Sequence, residues 1–135
     1  MTTLPGSILE EIRQQAMAEM PNECCGYLAG TRDGDTVTVH RRFPMTNVDA
    51  SPEHFSFDPA EQFAAVKAAR ADGLELVANY HSHPETPARM SAEDIRLAND
   101  TSIVYFIYSV ADENLKAFTV DENRRVSEEA LAVTL

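Results

Sequence analysis

Apolar positions near the start of the chain recur at helical spacing. Ile8, Leu9, Ile12, Ala16 and Met20 form a one-sided stripe that predicts an amphipathic helix over residues 8–20. Ser7 and Glu10 stand where a reciprocal capping box would open that helix, and Pro21 ends it. The pattern then changes. Cys24 to Thr31 is a run of small and apolar residues that predicts a buried strand. Arg32-Asp33-Gly34-Asp35 reads as a hairpin turn, with Asp-Gly supplying positive φ, and Thr36 to His40 as the returning strand. Residues 44–57 are rich in Pro, Asn, Asp and Ser and predict a long excursion of the kind that often carries function. Asp58-Pro59-Ala60-Glu61 offers an N-cap, a proline at the first helical position and an acidic first turn. The helix it opens runs to Gly73, suited to a left-handed C-terminal position. Leu74 to Tyr80 is strand-like and delivers the chain to His81, and Ser91-Ala92-Glu93-Asp94 opens a third helix ending near Asn99. Ile103 to Val110 is apolar enough to be a strand covered on both faces. Leu115 to Asp121 and Arg125 to Thr134 follow as two further strands, the second able to contain a short helix over 128–131.

The order α, β, β, α, β, α, β, β, without repeats or an internal linker, predicts one mixed β-sheet flanked by helices. That places the fold in the α/β to α+β range, as a single domain over residues 1–135. Composition narrows the partners. Eleven Lys and Arg against 22 Asp and Glu give a net charge of −11, a field that opposes nucleic acid and anionic membranes. No apolar run of about 18 residues is present. Met1-Thr2-Thr3-Leu4-Pro5 lacks the basic and apolar segments of a secretory leader, so the expected location is cytoplasmic. The two cysteines, Cys24 and Cys25, are neighbours. A bridge between them would be strained, and their expected role is as small apolar residues of a buried strand, with a reactive thiol as the alternative.

The segment richest in chemistry is His81-Ser82-His83-Pro84, followed by Ser91 and Asp94. Histidines at i and i+2 of a strand project from one face, so their imidazoles can converge on one ion. Pro84 is expected to stop the strand and leave both rings at the edge of a loop rather than inside a ladder. Asp94, eleven residues beyond His83, falls in the first turn of the third helix, where the dipole favours a carboxylate. His81, His83 and Asp94 thus make a three-ligand set with one position left for water, the pattern of a catalytic zinc site with a single ion. Other families with paired histidines fit poorly. A cupin needs a later histidine, and none follows His83; an amidohydrolase barrel needs roughly 250 residues; a nucleoside-type deaminase needs a Pro-Cys-x-x-Cys segment. His40 and His54 have no partner at ligand spacing, and Glu85 and Arg89 lie on the loop between ligands, where they can meet substrate or water.

His-Ser-His-Pro, six residues, Ser, two residues and Asp resembles the signature of the JAMM (MPN+) metalloprotease family at every fixed position. Pro21 to Gly30 is similar to the upstream element that carries the family's glutamate, which makes Glu23 its counterpart. Asn47 with Ser51-Pro52, and Asp58-Pro59, add to a likeness spanning residues 5–121. Asn79 departs from it, since many members carry an aromatic residue two positions before the first histidine. The resemblance implies the JAMM/MPN, cytidine-deaminase-like architecture and a zinc hydrolase. Zinc lowers the pKa of bound water to about 7; Glu23, not a ligand, would move the proton as general base and acid; and the Ser91 hydroxyl would stabilise the oxyanion while capping its helix.

Members of this small size resemble the prokaryotic branch that acts on ubiquitin-like sulfur carrier proteins. Those enzymes hydrolyse an amide after the carrier's C-terminal Gly-Gly, trimming a tail or releasing an attached amino acid. The tail is expected to lie along a sheet edge as an added strand. A deubiquitinase-like isopeptidase, a non-catalytic MPN scaffold and a metal-binding module are the alternatives, and a homodimer is left open.

Overall fold

The computed structural model describes residues 1–135. Alternation along one strand, β4 (Glu75–His83), decides how the layers are arranged. From Ala78 onward, successive side chains point to opposite faces: Ala78 and Tyr80 enter the main apolar core, while Asn79, His81 and His83 face the other way. Val77 is the extra residue of a β-bulge, because Leu28 pairs with Ala78 and Ala29 with Leu76. A slip of one residue would exchange the two faces, so this bulge sets which face receives the histidines.

The remaining elements are β1 (Thr2–Pro5), α1 (Gly6–Glu19), β2 (Cys25–Asp33), β3 (Thr36–Met45), α2 (Pro59–Ala71), α3 (Ala92–Leu97), β5 (Val104–Ser109), β6 (Asn114–Val120), β7 (Val126–Glu129) and β8 (Leu131–Thr134). One mixed sheet has the order β7-β6-β5-β4-β2-β3-β1-β8. Its two ends, β7 and β8, are separated in sequence only by Ala130. Residues 126–129 pair with β6 and residues 131–134 with β1, so a single extended segment closes the sheet on itself and covers both edges. Helix α1 lays Ile8, Ile12 and Ala16 against the inner face, in one cluster with Leu28, Val39, Tyr80 and Phe106. Helix α2 packs on the outer face, where Ala65 meets Cys25 and Met45.

Local signals place several elements as expected. Gly34 takes φ +60° in the β2–β3 hairpin, and Gly73 takes φ +72° after α2. Asp58 caps α2 by accepting from the Ala60 N–H, with Pro59 opening the helix. Four expectations are corrected. The Ser7–Glu10 capping box does not form: Thr2–Pro5 is itself a strand, Pro5 leads directly into the helix without a side-chain cap, and Glu10 instead accepts from Arg13. The histidines are not at a loop edge. His81 pairs with Cys25 on one side and Ile107 on the other, and His83 pairs with Ser109, because β4 is central and its ladder runs to the last residue before Pro84. No helix forms over 128–131; that stretch is extended, broken only at Ala130, whose carbonyl accepts from the Thr2 N–H. Nor is a sheet edge open beside the histidines, since β2 and β5 flank β4. No helix is long and apolar enough to cross a membrane.

Candidate active site

Asn79, His81 and His83 project from the outer face of β4. The excursion between β3 and α2 covers them from one side, and the 84–91 loop with α3 from the other. His81 Nε2 and His83 Nε2 lie 3.2 Å apart. Asp94 completes the triangle, with Oδ1 3.2 Å from His81 Nε2 and Oδ2 3.1 Å from His83 Nε2. A tetrahedral zinc site with bonds of about 2.0–2.1 Å has donor atoms roughly 3.3 Å apart, so the three side chains fit one zinc ion. All three are largely enclosed, with side-chain exposures of 4%, 7% and 11%.

The neighbours of each donor hold it in place. The His83 Nδ1–H donates to the Pro87 carbonyl at 2.9 Å, which leaves Nε2 as the metal-facing nitrogen. The His81 ring stacks on Phe55 at 4.5 Å. Asp94 is fixed by a capping box: the Ser91 Oγ accepts from the Asp94 N–H, and the Asp94 Oδ2 accepts from the Ser91 N–H, both at 3.0 Å. The far end of α3 is clamped by Arg124, whose guanidinium donates to the carbonyls of Ile95, Arg96 and Ala98 and to Asn99 Oδ1. Helix α3 buries none of its own residues, so these two polar end-fixings largely locate Asp94.

Electrostatics favour the ligand forms of Asp94 and His81, the ionised carboxylate and the neutral imidazole, but not that of His83. Burial alone would raise the Asp94 carboxyl; hydrogen bonds from His81 and His83, with the Ser91 N–H, outweigh it and hold the group well below the usual carboxylate range. Burial pushes His81 below its ordinary value against the pull of Asp94. At His83 burial also acts downward, but the hydrogen bonds to Asp94 and the Pro87 carbonyl prevail and raise it. Positive charge is therefore favoured between His83 and Asp94.

Glu23 precedes β2, 5% exposed, and lines a cleft with His83, Pro84 and Ser91. Its Oε1 is enclosed and has no hydrogen-bond partner. Burial pushes its carboxyl up to about 8; His83 opposes that rise, and Asp94, Glu93 and Glu53 add to it. The backbone at Glu23 is pinned twice by the excursion, the N–H donating to the Ser51 carbonyl at 2.9 Å and the carbonyl accepting from Asn47 Nδ2 at 3.0 Å. Ser82, between the two histidines, accepts from the Cys24 N–H at 2.8 Å and ties that same backbone to β4.

The sequence reading singled out neither Ser82 nor Arg124 and gave Asn47 and Ser51 no task. The only prior signal for Asn47 and Ser51 was the resemblance. Cys24 and Cys25 are fully buried and unbridged, and burial raises both thiols, Cys24 to about 12, which leaves the reactive-thiol alternative without support. His40 is an exposed bulge residue of β3. His54 stands at the mouth, its Nδ1 2.7 Å from Glu93 Oε1, linking the excursion to α3. Neither joins the ligand cluster. Glu85 and Arg89 are exposed, and Glu85 lines the Glu23 cleft.

Residues 5–121 match the family model described as prokaryotic homologs of the JAB domain. Over 124 residues the chain is 39% identical to a desampylase of Haloferax volcanii, covering 90% of this chain and 87% of that one. Over 125 residues it is 36% identical to a Thermus thermophilus protein described as a probable TtuB-protein conjugate cleaving protease, covering 92% and 79%. A protein of Desulfitobacterium hafniense solved in solution shares the fold with a TM-score of 0.91 at 47% identity, covering 99% of this chain and 93% of that one.

Proposed function

The chain belongs to the prokaryotic JAB family and is a hydrolase, and from that premise we propose that it cleaves the amide after the C-terminal Gly-Gly of a ubiquitin-like sulfur carrier protein. The observation that carries the reading is the convergence of His81, His83 and Asp94 beside the enclosed, unpartnered carboxyl of Glu23. His81, His83 and Asp94 would hold one zinc ion, which when bound supplies Lewis-acid activation of water and of the amide carbonyl. Glu23 is the proton carrier: it is not a member of the ligand cluster, it shares a cleft with His83 and Ser91, and burial makes it more basic than an ordinary carboxylate. Ser91 accepts from the Asp94 N–H, which leaves its hydroxyl proton to donate to the developing oxyanion.

Pro21, Pro52 and Pro84 wall the Glu23 cleft together with polar side chains. A tail without side chains suits such a passage. The excursion, rather than a sheet edge, is the backbone available to it. Two relatives support the substrate class through their names, a desampylase and a TtuB-protein conjugate cleaving protease. A cytoplasmic location accords with that reading. Completeness of the ligand set opposes a non-catalytic scaffold.

The test uses one carrier with two tails, extended beyond Gly-Gly or with the penultimate Gly replaced by a bulky residue, followed by mass spectrometry with and without a chelator. The extended Gly-Gly carrier should be cleaved, with the bulky tail slower by at least about tenfold, or ~1.4 kcal/mol. Equal cleavage of both tails, or cleavage that survives the chelator, would contradict the proposal.

A further inference from the structure

The histidines and Glu23 come from different stretches of the chain, and one side chain joins them. Ser82 stands between His81 and His83 on β4, fully enclosed, with its side chain on the opposite face. It meets Cys24 where the β2–β4 ladder ends, and there the Ser82 N–H donates to the Cys24 carbonyl at 3.1 Å. In a regular antiparallel pair the return bond would run from the Cys24 N–H to the Ser82 carbonyl. Here it runs to the Ser82 Oγ, at 2.8 Å. The ladder therefore closes on a side chain, and the backbone leaves the sheet at Glu23.

The peptide group that joins Glu23 to Cys24 is thereby held at both ends. Its N–H donates to Ser82, and its carbonyl accepts from Asn47 Nδ2 at 3.0 Å. The peptide group before Glu23 is held as well, its N–H donating to the Ser51 carbonyl at 2.9 Å. Asn47 and Ser51 belong to the excursion; of the three partners only Ser82 lies on the strand that carries the histidines. The enclosed Glu23 Oε1 has no hydrogen-bond partner, so no bond at that oxygen anchors the carboxyl and its aim follows the main chain. We infer that Ser82 is a positioning residue of the hydrolytic reaction: its hydroxyl fixes the Glu23 backbone to the frame of His81 and His83, and so sets where the carboxyl stands beside the ligand cluster. The assignment rests on the amide-hydrolase reading above, with Glu23 as the proton carrier. Without the Oγ, the Cys24 N–H is left unpaired or swings toward the Ser82 carbonyl. Either response frees that peptide group to turn and takes the carboxyl with it.

The test compares zinc-loaded wild type with Ser82→Ala, Ser82→Thr, Glu23→Gln and the Ser82→Ala, Glu23→Gln double variant, each assayed on the carrier extended beyond Gly-Gly. Ser82→Ala leaves the main-chain bonds of β4 in place, so it should fold and bind one zinc. Its KM should stay within about threefold of wild type while kcat falls about tenfold to a hundredfold, the range for a reacting group displaced by about 1 Å. Ser82→Thr, which keeps the Oγ, should restore kcat. In the Glu23→Gln background Ser82→Ala should slow turnover no further, because the group it positions is already gone. A loss of packing alone would instead lower both backgrounds alike. Unchanged kcat in Ser82→Ala, loss of its zinc, a Ser82→Thr as slow as Ser82→Ala, or costs that multiply in the double variant would each overturn the assignment. All four leave the hydrolase reading standing, provided that wild type cleaves and Glu23→Gln is slow. A wild type that cleaves nothing, or Glu23→Gln at full turnover, removes that reading and the positioning role with it.

Discussion

The two faces of β4 differ in what they tolerate. On the inner face, Ala78 and Tyr80 pack with α1 among fully enclosed apolar side chains. On the outer face, two imidazoles and a carboxylate crowd within 3.2 Å of one another. Of the three enclosed polar atoms without a partner, Glu23 Oε1 and Asn79 Oδ1 flank that cluster, and only Arg42 Nε lies elsewhere. A fold left to maximise its own stability would pair or remove such atoms. The inner face supplies the rigidity that allows the outer face to remain unsatisfied, and unsatisfied groups are what a metal and a substrate can complete.

Substitutions on the two faces should therefore fail in different ways. The largest effects belong to the ligands: His81→Ala, His83→Ala or Asp94→Ala should abolish both zinc binding and cleavage, as read by elemental analysis and turnover. On the inner face, Phe106→Ala should cost about 3–5 kcal/mol of stability in urea denaturation while the folded fraction still binds one zinc. Loss of zinc from folded Phe106→Ala would break the division between the faces.

An intermediate effect should come from Arg124, which reaches Asp94 only through the helix. Its backbone sits at φ +63°, an unfavourable region for a side-chain-bearing residue, and its guanidinium takes four acceptors at the end of α3. Arg124→Ala should weaken zinc affinity about tenfold, the lower range for groups that orient a ligand, when measured by competition with a chelator. A lower melting temperature with unchanged affinity would make the clamp purely structural. The smallest effect on stability is expected at Ser91. Ser91→Ala should cost about 1 kcal/mol for the lost cap and lower kcat more than it raises KM. Unchanged kcat would leave Ser91 as a cap only.

Much of the outer face could be read from the sequence because its signals are local. The His-x-His spacing, the Ser91 cap and the Asp58-Pro59 helix start each lie within a few residues of what they determine. The closing segment could not be read in that way. Val126–Glu129 and Leu131–Thr134 owe their conformation to β6 and β1, and Thr2 meets Leu131 across nearly the whole chain. Four residues of β1 are too few to show a period. The Val77 bulge that sends the histidines outward is visible only in the pairing of β2 with β4. Arg124 looks like an ordinary turn residue until the carbonyls 26 to 29 positions earlier are brought to it. Glu23 had only the family likeness to mark it, since nothing in its neighbours foretells burial by an excursion that starts some twenty residues later.

The division of roles on the outer face has its most direct test at Glu23. Zinc content and turnover should be measured on the same preparation of Glu23→Gln. One zinc per chain, an unchanged fold and turnover lower by about 10²–10⁴, the range for removal of a positioned acid/base, is the predicted result. Loss of the zinc would make Glu23 a ligand, and full turnover with zinc retained would remove it from the reaction; either result contradicts the account.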